Sequence, residues 1–325
     1  MSAEGSAKNL STFVPRYMRD PKVSIIIVHL DSQTTLLACL KSCQTIQYRN
    51  YEIIVVENGS RLALDPDALK DCAGRAPSVI RSPVNLGFAG GNNLGIRAAL
   101  AQGADYVLLL NDDTEVAPEF LDVLVQAGEQ DEHIGALGPT IYYFDDPKRI
   151  WFAGGRFDTR LCQVHAPRSG ELDEGVQPDL IESDWLTGCC LLMKRHALEK
   201  AGPLDERFFL YWEDTDWGLR LRACGLQNVV VPSARIWHKI SLSAGGTDSV
   251  LKAYHKTRSH LQFAQLHAAH ALFALQWKLL RDIAWLLLKS SRTDRFRKAR
   301  AHWAAIKDFY RRSTGKGPDW LWQQR

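Results

Sequence analysis

Two acids in succession, Asp112 and Asp113, follow the strongly apolar run Tyr106 to Leu110 (YVLLL), with Asn111 between run and acids. Adjacent carboxylates at the mouth of a buried strand repel one another unless a cation or several donors meet them. Hard oxygen ligands of this kind suit Mg2+ or Mn2+, ions that retain waters and bind substrate phosphates. The other use for Asp113 or Thr114 is to cap the helical turn that follows. A second acidic group lies in Phe208 to Arg222 (FFLYWEDTDWGLRLR), where Glu213, Asp214 and Asp216 stand just ahead of Arg220 and Arg222. A carboxylate beside aromatic walls can have a raised pKa and act as a general base. The same acids also suit a helix N-terminus.

Three further groups belong with these. Glu57 in Glu57-Asn58-Gly59-Ser60 follows Tyr51 to Val56 (YEIIVV). It offers an acceptor to a base or ribose, or forms a plain solvent turn. Asn85 to Gly95 (NLGFAGGNNLG) carries Gly87, Gly90, Gly91 and Gly95. These are expected to let the backbone approach a ligand, with the N–H groups of the following helix open to an anion. The segment departs from G-x-G-x-x-G and follows the third strand, which disfavours a dinucleotide fingerprint. His238 ends a last apolar segment; alone it reads as structural, and only the other groups raise it.

The elements that must position these residues can be read from periodicity. Lys22 to Leu30 (KVSIIIVHL), Tyr51 to Val56, Ser78 to Arg81 and Tyr106 to Leu110 read as strands, mostly buried on both faces. Helices are expected over Thr34 to Gln44, Asp67 to Ala73, Gly91 to Gln102 and Pro118 to Gln130. That alternation argues for a parallel sheet covered on both faces, with ligands bound beyond the carboxyl ends of its strands. Residues 145–184 read as loop and hairpin, Trp185 to Lys194 as apolar again, and Asn228 to Ile236 as a final strand.

Charge divides the chain unevenly. Residues 1–251 hold 24 basic and 33 acidic residues, a balance of −9, whereas residues 252–325 hold 16 and 4, a balance of +12. The basic part also holds five of the ten tryptophans, Trp277, Trp285, Trp303, Trp320 and Trp322. A helical segment both basic and Trp-rich suits an anionic bilayer surface, with residues 266–325 the expected contact, or else forms an ordinary amphipathic helix pair packed over the core. No nucleic-acid motif accompanies the basic face, so no nucleic-acid partner is expected. Lys278, Arg281 and Asp282 interrupt the apolar run Ala271 to Leu288, against a spanning helix. Met1 to Pro21 shows no apolar core of a secretory signal. The seven cysteines form no C-x-x-C pair, which points to buried thiols rather than a disulfide framework.

Taken in order, KVSIIIVHLDS, YEIIVVENGS, NLGFAGGNNLGI, YVLLLNDDTEV, WLTGCCLLMKR, FFLYWEDTDWGLRLR and the later His238 resemble inverting family 2 glycosyltransferases. The nearest subgroup is the rhamnosyltransferase-like enzymes of cell-surface polysaccharide synthesis, and the likeness covers about residues 22–265. It implies a GT-A fold: a Rossmann-like, mostly parallel central sheet with helices on both faces, here followed by an amphipathic helical tail. Its implied divisions are an extension at 1–21, a catalytic domain at 22–250 and a helical region at 251–325. The catalytic domain divides into a nucleotide-binding half (22–134) and an acceptor-binding half (135–250).

The resemblance also implies roles. Asp113 occupies the metal position of the D-x-D motif, and His238 matches the histidine that often completes it. Glu57 matches the acid that reads the nucleotide base, normally Asp. Asp214 matches the catalytic base, with Glu213 beside it. Asp31, Asn58, Arg81, Asn85, Gly91, Asn92, Asn111 and Asp112 are the expected remainder of the donor site. Trp185, Gly188, Cys189 and Trp212 are expected to shape the sugar and acceptor pocket. Asn111 departs from the first Asp of the motif and brings no charge, and Glu57 is one methylene longer than Asp.

The implied reaction is metal-dependent transfer, with Mg2+ or Mn2+, of a sugar from a nucleotide-sugar to a glycan or polyprenyl-diphosphate-linked acceptor. dTDP-rhamnose is the expected donor, with UDP-hexoses or a non-catalytic nucleotide-sugar-binding relative as alternatives. The expected location is the cytoplasm, peripheral on the inner face of the membrane; association into an oligomer stays open. An NAD dehydrogenase lacks its fingerprint here, and a nucleotidyltransferase lacks its basic Gly-rich loop, since Leu30-Asp31-Ser32-Gln33 follows the first strand.

Overall fold

The structure, a computed structural model, describes residues 20–65, 67–69, 76–175, 178–240, 249–288 and 294–322. Residues 1–19 of the expected N-terminal extension and most of the expected helix Asp67 to Ala73 lie outside them.

The first half follows from its β-branched runs. Strands β1 (Val23–His29), β2 (Tyr51–Asn58), β3 (Ser78–Ser82) and β4 (Tyr106–Leu110) pair in parallel in the order β3-β2-β1-β4. Nearly every residue of β1, β2 and β4 is buried, as a sheet covered on both faces requires. The covering helices are α1 (Gln33–Cys43), α2 (Gly87–Ala101) and α3 (Phe120–Gln130). Each fully buried Ile or Leu of this layer contributes about 1.5–3 kcal/mol of burial free energy.

Helix α2 corrects one expectation. It begins at Gly87, not Gly91, so most of the Gly/Asn-rich segment is helix rather than turn. Gly91 and Gly95 bring the helix close against β1. A Cβ on Gly95 would stand 2.4 Å from the Ile26 side chain, and one on Gly91 would stand 2.9 Å from Val28. Such a sequence is a poor helix former by propensity; what holds it is the close seat on β1 that the missing side chains allow. Gly87 itself, at φ 74°, takes the left-handed turn that opens the helix.

The second half mixes strand directions. After β5 (Thr114–Val116) come β6 (Ile134–Tyr143), β7 (Ile150–Phe152), β10 (Ile181–Ser183), β11 (Cys190–Lys194) and β12 (Gln227–His238), with the hairpin β8 (Arg156–Asp158) and β9 (Gln163–His165) forming a separate ribbon. The ten-stranded sheet runs β10-β12-β6-β11-β4-β1-β2-β3, with β5 on β12 and β7 on β6. β11 is antiparallel to both β4 and β6, whereas β6 and β12 are parallel. Helices α4 (Arg195–Ala201) and α5 (Glu213–Ala223) complete this half. In α5 three acids occupy the first turn and Arg220 and Arg222 the last, matching the helix dipole at both ends.

Three helices follow: α6 (Val250–His267), α7 (Leu272–Leu288) and α8 (Arg295–Tyr310). Tyr254 of α6 is wholly buried and donates to Asp308 at 2.6 Å, and Arg258 donates to the Gly315 carbonyl at 2.6 Å. At the other end of α6, His267 Nε2 donates to Asp216 Oδ1 at 2.8 Å, tying it to α5. No helix of the described residues is long and apolar enough to cross a membrane. The described cysteines are all free.

Candidate active site

Sheet pairing brings Asp113 and His238 together. β5 lies antiparallel to the end of β12 with Thr114 opposite His238, and the Lys239 N–H donates to the Asp113 carbonyl at 2.9 Å. The Asp113 Oδ1 to His238 Nε2 distance is 3.1 Å, and both residues are 4% exposed. The edge of the Trp151 ring braces the imidazole, centroids 4.5 Å apart. Neither ring nitrogen of His238 makes a hydrogen bond among the described residues. A buried imidazole whose nitrogens make no hydrogen bond is costly; the Asp113 carboxylate suits Mg2+ or Mn2+, and an imidazole beside it suits a transition ion such as Mn2+ better than Mg2+. Among the described residues no group of three or more ligating side chains surrounds a common point. Two protein ligands would leave coordination positions for phosphate oxygens and water, the usual condition of such ions.

Asp112 turns the other way, to His29 at the end of β1, across 2.9 Å from His29 Nδ1. Burial raises its pKa, against which the His29 hydrogen bond works. His29 was not singled out from the sequence, although a polar residue closing an otherwise apolar strand was the available signal. Asn111 sends its backbone N–H to the Cys189 carbonyl at 2.9 Å, and its own carbonyl receives the Thr114 hydroxyl at 2.7 Å.

On the same short turn, the Gly188 N–H donates to Asp214 Oδ2 at 3.0 Å. Residues 188 and 189 thus join the segment carrying Asp113 to the one carrying Asp214. A Cβ at Gly188 would stand 2.7 Å from the tip of the Phe88 ring, so a larger residue here would have to displace that ring. Asp214 Oδ1 accepts from the Thr215 N–H at 2.7 Å and from its hydroxyl at 3.2 Å. Burial raises the Asp214 pKa, and these donors pull it partly back. Tyr211 and Trp212, at φ 69° and 74°, are both left-handed where α5 begins. Two such non-glycine residues in a row cost of order 1–3 kcal/mol each, strain of the kind found where a side chain must be aimed.

Glu213 is buried and its Oε2 has no hydrogen-bond partner among the described residues. Burial, and then the Asp214 charge, push its pKa well above the ordinary 4.5. A raised carboxyl pKa means the native state holds its proton more tightly than the unfolded chain, so ionisation drains stability as pH climbs above the unfolded value. Glu213→Gln is therefore expected to match the parent near pH ~5 and to gain on it progressively toward pH ~8 in calorimetric Tm. A constant difference across that range would contradict a protonated Glu213.

Glu57 and Arg81 end adjacent strands in register, and Arg81 Nε lies 2.9 Å from Glu57 Oε2. Asp31, left-handed at φ 64°, accepts from the Arg61 N–H at 2.9 Å. Asn58 accepts from Leu86 N–H and donates to the Gly87 carbonyl, both at 2.9 Å. Asn85 caps Gly87 N–H at 2.8 Å, and Asn92 donates to the Phe88 carbonyl at 2.9 Å. Asn58 and Asn85 therefore shape the loop entering α2, and Asn92 braces the first turn of the helix itself. Trp185 packs on Phe152, centroids 5.0 Å apart. Trp212 stacks on His260 of α6 at 4.2 Å and against Phe263, tying the approach to Asp214 to the C-terminal helices.

A carboxylate–imidazole pair at the ends of the strands, bridged by one turn to a helix-borne carboxylate, sits on a mixed α/β sheet flanked by helices. That fold is shared by the crystal structure of GalNAc-T7 with UDP, GalNAc and Mn2+, at a TM-score of 0.60 and 16% identity, over 94% of this chain and 56% of that one. The chain belongs to glycosyl transferase family 2, whose model matches residues 24–202, and is a glycosyltransferase. It is 30% identical over 286 residues to the N-acetylglucosaminyl-diphospho-decaprenol L-rhamnosyltransferase of Mycobacterium tuberculosis, covering 80% of this chain and 91% of that protein. It is 22% identical to the dTDP-rhamnosyl transferase RfbF of Shigella flexneri, covering 84% and 90% respectively.

Proposed function

We propose that the chain transfers rhamnose from dTDP-rhamnose to a hydroxyl of a polyprenyl-diphosphate-linked glycan, with inversion at the anomeric carbon. The observation that carries this is the turn at Gly188 and Cys189, which joins the cation-type pair Asp113 and His238 to the carboxylate Asp214. The two rhamnosyltransferase relatives support the sugar, and the diphospho-decaprenol acceptor named for one of them supports the acceptor class. Residues 22–134 form the nucleotide half and 135–250 the acceptor half.

In this mechanism Glu57, held by Arg81, reads the base, and Asp31 closes on the ribose side. Asp113 and His238 would hold a divalent cation, which would supply positive charge to offset the negative charge growing on the leaving diphosphate. Asp214 takes the proton of the acceptor hydroxyl as that oxygen attacks the anomeric carbon from the face opposite the diphosphate. The two Thr215 donors occupy Oδ1 and the Gly188 N–H one lone pair of Oδ2, which fixes the direction of the carboxylate and leaves the other lone pair of Oδ2 for the acceptor. Glu213, protonated, adds no second charge beside the base. Trp185 lines the acceptor side.

A thermal-shift screen of dTDP-rhamnose and UDP-hexoses with Mn2+, Mg2+ or EDTA tests the donor. A ligand at about 100 times its Kd adds about 2.7 kcal/mol of stability. Stabilisation by dTDP-rhamnose that EDTA removes is the expected result; stabilisation by UDP-hexoses alone would replace the donor.

An acceptor of this class would put the enzyme to work at the cytoplasmic face of the membrane, and the exposed side of α7 supports that reading. Phe273 is 77% exposed and Trp277 68%, and Leu280, Leu287 and Leu288 are exposed with them. At 100° per residue these five fall in one stripe about 100° wide, opposite the buried Leu275 and Leu286. With the basic balance of residues 252–325, this is a face for an anionic bilayer. Phe273→Ser with Trp277→Ser is expected to weaken co-flotation with phosphatidylglycerol vesicles on the order of 10-fold. Unchanged flotation would remove α7 from that role.

A further inference from the structure

The short segment that leads into Asp214 is strained, and one face of α6 holds it. Tyr211 and Trp212 are left-handed, at φ 69° and 74°, a conformation that bulky side chains keep only where their surroundings enforce it. The Trp212 carbonyl accepts the Asp216 N–H at 2.8 Å, the bond that opens α5. The direction the chain takes at Trp212 therefore fixes the helical turn on which Asp214 stands.

The restraining contacts come from α6 at helical spacing. Lys256 Nζ lies over the Tyr211 ring, 5.2 Å from its centroid, and the Ser259 hydroxyl donates to the Leu210 carbonyl at 3.0 Å. Beyond Asp214, His267 holds Asp216 at 2.8 Å. Lys256, Ser259, His260, Phe263 and His267 fall on one side of the helix by their spacing of three and four. His260 stands in the middle of this row. Its ring stacks on Trp212 with centroids 4.2 Å apart and planes at 11°, and Phe263 leans on the same indole at 4.6 Å. His260 Nε2 lies 2.8 Å from the Cys162 carbonyl; a carbonyl only accepts, so Nε2 carries the proton. Cys162 is itself left-handed, at φ 51°, just ahead of β9. One imidazole thus joins two strained residues, Trp212 by stacking and Cys162 by hydrogen bonding. Burial holds its pKa below the ordinary 6.5, which keeps the stacked ring uncharged near neutrality.

We propose that His260 is a positioning residue for the carboxylate that activates the acceptor: its ring keeps Trp212 left-handed, and Trp212 in that conformation carries Asp214 to the acceptor hydroxyl. The Gly188 and Thr215 donors set the rotation of the carboxylate; His260 sets the place of the backbone that bears it. In this role His260 neither gives nor takes a proton during the transfer. A misplacement of about 1 Å at a reacting group is enough to slow an enzyme severely, so a contact one residue removed from the base can be felt in kcat.

The inference rests on Asp214 being the base, and a double-mutant cycle separates the two. Transfer from radiolabelled dTDP-rhamnose to a polyprenyl-diphosphate-linked N-acetylglucosamine is measured for the full chain and for His260→Ala, His260→Phe, Asp214→Asn and the Ala and Asn changes combined. His260→Ala is expected to lower kcat on the order of 10-fold, with donor affinity by calorimetry unchanged. His260→Phe keeps a flat ring on Trp212 but leaves the Cys162 carbonyl without its donor. It is expected to lose about 2–4 °C of Tm yet keep kcat within about threefold of the parent, which separates positioning from stability. In the Asp214→Asn background, His260→Ala is expected to cost less than about twofold more, since the group it positions is gone. A full further loss in that background, or a Phe variant as slow as the Ala variant, overturns the role of His260 and leaves the base in place. An Asp214→Asn enzyme as fast as the parent overturns the base and this inference together, as does a parent that transfers no sugar. If the Ala variant does not fold, His260→Leu, which fills the space without a flat ring, replaces it with the same outcomes.

Discussion

Asp214→Asn is expected to lower kcat by about 10²–10⁴-fold, the usual worth of a positioned general base. The amide keeps the shape of the carboxylate but cannot take the acceptor proton. Donor affinity is expected to stay near that of the parent, because the proposed donor contacts lie on other elements. The pH profile adds a second reading. Burial raises the Asp214 pKa, so kcat/KM in the parent falls as pH drops through a value above the ordinary 3.8, where the base becomes protonated. That limb should vanish in the variant. A kcat within about threefold of the parent would take the proton-accepting role from Asp214.

The other large effect falls on Asp113→Ala. It removes the carboxylate from a buried pair, so the turn between β4 and β5 no longer offers His238 an oxygen partner for a cation. Donor affinity measured by titration calorimetry in Mn2+ is expected to fall on the order of 100-fold, to the level the parent shows in EDTA. The EDTA value should be the same for parent and variant. Equal donor affinity in Mn2+ for the two proteins would show that the cation, if used, is held elsewhere. His238→Ala is expected to move affinity in the same direction by less, since an imidazole carries no formal charge to the site.

How far the sequence could be read depended on whether a residue's job is local. The apolar runs at Lys22, Tyr51 and Tyr106 became strands because burial on both faces selects β-branched and aliphatic residues wherever the strand goes. The acids after Leu110 and ahead of Trp217 were visible because carboxylates beside such runs are expensive. The close seat of Gly91 and Gly95 on Val28 and Ile26 was not legible, because a glycine that admits a ligand and one that admits a strand look alike in sequence. His29 escaped for a similar reason: it is an ordinary residue on an ordinary element. Its interest lies in a neighbour 83 residues away. The antiparallel insertion of β11 was equally hidden, since Cys190 to Lys194 shows the same apolar run as a parallel strand.

That insertion has a mechanical consequence. β11 comes from the second half of the chain but exchanges backbone hydrogen bonds with β4 of the first half along its whole length, and with β6 on its other side. Many two-lobed transferases open by swinging their lobes about a hinge, but here such a swing would tear a continuous ladder. Substrate entry and product exit must then be managed by segments at the rim of the sheet, while the plate beneath stays rigid. The distance between Asp113 and Asp214 is on this account a constant of the enzyme rather than something each turnover has to re-establish.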